Sequence, residues 1–76
     1  MEEKERLLIV KLSEQNPELK KLWDEHLDYE KKIKDLERKL HLSPEEEIEK
    51  KRLQKLKLSG KDKMFEILSK YRVEGN

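Results

Sequence analysis

Leu19, Leu22, His26, Tyr29, Ile33, Leu36 and Leu40 recur at alternating steps of three and four residues. A strand has period two and scatters such positions over both faces, whereas a helix gathers them into one seam. Three heptads of this kind are the requirement for coiled-coil packing. The spacing therefore predicts a helix over residues 17–40, a rod of roughly 36 Å, with Trp23 and Leu27 widening its apolar stripe. Such a seam must be covered by another helix.

The chain supplies that helix next. In "HLSPEEEIEKK", Ser43 is a helix cap, Pro44 occupies the first helical position, and Glu46 completes an S-x-x-E capping box. Glu45, Glu46 and Glu47 suit the positive end of the helix dipole. The spacing predicts a helix over 44–72. A connection of about three residues is short, so the two helices form an antiparallel hairpin. The third helix carries Ile48, Leu53, Leu56, Leu58, Met64, Phe65, Ile67, Leu68 and Tyr71, less regularly spaced than the seam of the second. Ser59-Gly60 interrupts it, for close approach of a neighbour or for a local bend.

Asn16-Pro17 starts the second helix by the same logic, with Asn capping and Pro at the first turn. Pro17 also ends whatever precedes it. Leu8 and Leu12 are i,i+4 partners in a short leading helix over 3–13, although Leu7-Leu8-Ile9-Val10 also fits a short strand. The expected fold is all-α: a short N-terminal helix, then a long coiled-coil-like hairpin, in one domain spanning 1–76.

Charged residues make up 49% of the 76 positions, about twice the usual share. Many form acid-to-base pairs at i,i+4, such as Asp28–Lys32 and Glu46–Lys50, which support exposed helices. With 19 basic and 18 acidic residues, the balance disfavours a general polyanion binder. There is no cysteine for a disulfide or thiolate site. No apolar run approaches the ~18 residues of a membrane span. A soluble, cytoplasmic protein is expected.

"WDEH", residues 23–26, is the richest chemistry in the chain. On a helix, Asp24 and Glu25 lie about 200° and 100° from His26, and only Glu30, one turn on, shares its face. One His and one Glu are too few for zinc, which takes three or four ligands. The stronger reading is a half-buried seam histidine beside Leu22 and Tyr29, with Trp23 packing at the edge. A weaker one makes His26 a pH-sensitive element of an interface between hairpins. No glycine-rich phosphate loop or nucleophile–base arrangement is present, so neither enzyme activity nor a cofactor, metal or small-molecule substrate is expected.

Residues 50–63 hold seven bases, Lys50, Lys51, Arg52, Lys55, Lys57, Lys61 and Lys63, against Asp62. They are candidate polyanion contacts for a nucleic-acid-associated regulator. They spread around the helix, and no aromatic is interleaved for base stacking, so a solvated face is the stronger reading.

Together, "LIVKLSEQNPELKKLWDEHLDYEKKI" and "EIEKKRLQKLKLSGKDKMFEIL" resemble the YdcH-like proteins, short bacterial helical hairpins. Leu8 to Leu12, Asn16-Pro17, Trp23-Asp24-Glu25-His26 and Lys55 to Leu68 carry the resemblance, over roughly residues 5–70. Gly60 stands where that pattern has a helix-forming residue. The resemblance implies a hairpin able to self-associate, and no reaction, ligand or functional residue.

Two helices packed through one seam leave apolar residues over. Leu8, Leu12, Trp23, His26, Leu27, Phe65 and Leu68 are the candidate interaction surface, since large exposed apolar patches mark binding faces. A symmetric homodimer closing a four-helix bundle is the simplest outcome. The expected role is a self-associating adaptor or protein-interaction module, with a heterologous protein as the other partner.

Overall fold

The computed structural model describes the backbone of residues 2–74 and the side chains of residues 2–71. Among the described residues it is all-helical, with α1 over Glu3–Ser13, α2 over Pro17–Glu37 and α3 over Pro44–Glu74. The molecule measures 49 × 20 × 16 Å, and its long axis is close to the length of α3 alone. None of these helices is long and apolar enough to cross a membrane.

The helix starts follow their sequence signals. Leu19 N–H donates to Asn16 Oδ1 at 3.1 Å, and the other end of the Asn16 amide donates to Tyr71 Oη at 3.3 Å. One side chain thus caps α2 and ties it to the far end of α3. At α3, Glu46 N–H donates to Ser43 Oγ at 3.2 Å and Ser43 N–H donates to Glu46 Oε1 at 3.0 Å, the reciprocal capping box. Lys39 also pairs with Glu46. The Lys39 ammonium, aided by the Ser43 N–H, pulls the Glu46 carboxyl down to about 2.

Leu7 to Val10 is helix, not strand. α2 ends at Glu37, three residues short of the expected end, and its last turn tightens as Lys39 N–H donates to Leu36 O. Leu40 is consequently no seam residue: it sits in the connection, 95% exposed. The chain must cross from one helix axis to the next, roughly 8–10 Å, and still deliver Ser43 in its capping position. Residues 38–43 make the crossing. Helix α3 runs unbroken through Ser59 and Gly60. No neighbour approaches Gly60 closely, for a Cβ placed there meets nothing within 4 Å.

The heptad row of α2 divides in two. Leu19, His26 and Ile33 are buried, while Leu22, Tyr29 and Leu36 are half-exposed. The buried row faces α3 and, at one end, α1. There Ile9, Leu19, Met64 and Leu68 form the core, with Leu8, Leu12, Leu22, Trp23, Phe65 and Ile67 packed around it. The molecule is a three-helix bundle at that end and a two-helix hairpin toward the turn.

Candidate functional site

α1 lies along one face of the hairpin and stops part-way. Where it stops, a cleft of about 470 Å³ opens between α2 and α3. Arg6 enters it from α1. His26, Glu30, Ile33 and Glu37 line it from α2 at helical spacing, and Gln54, Lys57, Leu58 and Lys61 line it from α3. Each set occupies one helix stripe, so the cleft follows directly from the packing of two helices with the third cut short.

Arg6, His26 and Glu30 of its lining interlock with Trp23, which lies behind them. The Arg6 guanidinium donates to both Glu30 oxygens, at 2.9 and 3.2 Å, the bidentate geometry that makes such pairs strong. The same guanidinium lies over the Trp23 ring, 5.6 Å from its centre. Trp23 in turn stacks on His26, ring centres 5.5 Å apart and planes 15° from parallel. His26 Nε2 is 2.6 Å from Glu30 Oε1. Both ring nitrogens are buried, Nε2 against the Glu30 carboxylate.

Burial lowers the His26 pKa, since it penalises the imidazolium. The Glu30 carboxylate opposes this, while Lys57 and Arg6 reinforce it. His26 is thus neutral at pH 7. Burial pushes the Glu30 carboxyl up, but His26, Arg6 and Lys57 outweigh it and hold the group below its ordinary range.

The walls are unbalanced. Arg6 is spent on Glu30. Glu37 is within 3.9 Å of Lys50, and Arg52 is paired with Glu49 at 2.9 Å. Lys57 and Lys61, both half-buried, have no ion pair among the described residues. Lys61 lies 5.6 Å from the centre of the Phe65 ring instead. They are one turn apart, and like charges at that spacing repel.

The seven residues assigned from sequence to an interaction surface are mostly consumed by the chain's own packing. Leu8, Leu12, Trp23 and Phe65 are half-buried against the core, Leu68 is buried, and His26 is 2% exposed. Only Leu27 is exposed among them. α1 covers one end of the hairpin, and these side chains pack beneath and beside it. The large apolar residues left exposed are Leu7, Val10, Leu27, Leu40, Ile48, Leu56 and Leu58.

The basic stretch does not form one face. Lys57 and Lys61 line the cleft, while Lys63 lines a groove on the opposite side with Leu22, Tyr29 and Leu56. Sequence reasoning brought His26 and Glu30 together but missed Arg6, which is 24 positions from Glu30. It also did not separate Lys57 and Lys61 from their neighbours. Part of a signal was present: neither has an acid three or four positions away, although Lys55 shares that feature.

Among the described residues no group of three or more His, Asp or Glu side chains is placed to hold a metal ion. Compared with family models, curated proteins and solved structures, the chain has no match.

Proposed function

We propose that the chain is a non-catalytic, YdcH-like protein-interaction module of the cytoplasm that self-associates back to back, closing a four-helix bundle. The observation that carries this is the unfilled half of the heptad seam. Leu22, Tyr29 and Leu56 line one groove and Leu36 the next, neither lined by an α1 residue, and none of the four is fully buried. The two grooves of this stripe measure about 220 and 260 Å³, the second floored by Leu36 and Leu53. Gly60 sits in this stripe, where the lack of a side chain leaves room for an approaching helix.

Surface area supports a second copy as occupant. A monomer of 9.3 kDa is expected to expose about 5,000 Å², and this chain exposes 6178 Å². The excess, about 1,200 Å², exceeds the ~800 Å² that each partner contributes to a standard interface. Acidic and basic residues alternate along the stripe's edges, with Glu25, Lys32, Asp35, Lys39, Glu49 and Lys63 lining its grooves, as in self-complementary helix pairs.

Sedimentation equilibrium over a wide concentration range is the test. A dimer is expected, with Leu56→Glu shifting it to monomer and Leu58→Glu, on the cleft side, leaving it intact. A wild-type chain that stays monomeric at high concentration would sink self-association, and the stripe would then serve a different helical partner. Nucleic-acid binding is the weaker reading, because the bases of residues 50–63 divide between opposite sides and two of them are paired within the chain.

A further inference from the structure

We infer that the cleft beyond the end of α1 is a binding site for a small oxyanion, a phosphate or carboxylate group, held by Lys57, Lys61 and Gln54 above His26. The cleft is on the opposite side of the hairpin from the stripe used in self-association, so it does not rest on that reading.

Three observations converge. The first is shape: a concavity of about 470 Å³ at the junction of all three helices has room for a small group. The second is charge. Lys57 and Lys61 face it from one stripe, one turn apart, with no counter-ion. Glu30 eases the charge of Lys57 across the cleft, and an anion between the two lysines relieves their mutual repulsion directly. Glu30 is itself clamped by Arg6 from below, and Glu37 lies toward Lys50 at the rim. The third is His26, buried in the floor with Nε2 2.6 Å from Glu30 Oε1, so its ring reports on charge placed above it. Gln54 supplies an amide donor on the same wall.

An anion above the floor also changes the titration of His26. Arg6 from α1 and Lys57 from α3 disfavour the imidazolium, and Glu30 from α2 favours it. Neutralising Lys57 removes part of the opposition, so anion binding is coupled to proton uptake.

The full-length chain is titrated with sodium phosphate, and separately with sodium acetate, at constant ionic strength set by chloride, following the His26 ring signals by NMR. A saturable shift of His26 with a raised apparent pKa is expected. Lys57→Gln and Lys61→Gln should each weaken binding at least tenfold without loss of helicity, while Lys55→Gln and Lys63→Gln leave it unchanged. Tighter phosphate binding assigns a phosphate group, and tighter acetate binding a carboxylate. A response that never saturates, or one that all four variants weaken alike, overturns the proposal: the effect would then be general charge screening. Sedimentation of the same samples reads self-association separately, so either idea can fail alone.

Discussion

The imidazole of His26 lies flat on the indole of Trp23, 5.5 Å between ring centres, one helical turn along the same stripe of α2. Trp23 carries the Arg6 guanidinium on its ring, and Arg6 grips the Glu30 that approaches His26. The four groups join α1 to α2 and meet Lys57 of α3 across the cleft.

Stability should depend on pH through His26. Its folded-state pKa is lowered from the ordinary 6.5 by burial, so the unfolded chain binds the proton more readily. Its contribution is complete above about pH 6.5 and is lost as pH falls through the folded value. Denaturant titrations at pH 8, 6 and 5 should show stability declining over that window, and a His26→Leu chain should be flat there. A parent and variant with the same profile would remove His26 from the account.

Glu30 adds a second, more acidic step. Its pKa is lowered, so its contribution holds above about pH 4.5 and disappears as pH drops through its folded value. Replacing Arg6 or Glu30 by Ala should each cost about 1 kcal/mol, because the pair is only partly buried and also orders a cation–π contact. A double-mutant cycle should show coupling of similar size. Additive losses would mean that the two side chains contribute independently.

Gly60→Ala should stabilise the protein. The helix passes straight through this position and a Cβ meets no neighbour, so alanine removes a cost of roughly 0.5–1 kcal/mol in helix propensity and chain entropy. A rise of a few degrees in thermal midpoint at low protein concentration is expected. A drop would show that this part of α3 is bent or more tightly packed in solution.

Ile9 is the anchor of α1, fully buried against Leu19, Met64 and Leu68. Ile9→Ala should cost about 2–4 kcal/mol, most of the stability a chain of this size has. Hydrogen exchange should then show α1 released and Trp23 exposed, with Trp fluorescence shifting to the red. Unchanged fluorescence would contradict the docking of α1.

Much of the architecture was legible because it depends on local rules. Asn16-Pro17 and Ser43-Pro44-Glu45-Glu46 place two helix starts within a residue, since a cap acts on its own first turn. The alternating steps from Leu19 to Leu36 specify a helix and the face it must cover. The second-helix end was not legible: α2 stops at Glu37 although the three-four spacing continues to Leu40.

The cleft was legible only in fragments. His26 and Glu30 share a face at i,i+4, which any helix enforces. That Arg6 closes over Glu30, and that Lys57 and Lys61 stand opposite without counter-ions, depends on where α1 folds back and how α3 is rotated. Local sequence determines the helices, their caps and their apolar rows, because those forces act within a turn or two. Tertiary packing alone decided which row is buried, that Trp23, Phe65 and Leu68 belong to the chain's own core, and which charges are left facing one another. Those outcomes require surfaces far apart in the chain to meet.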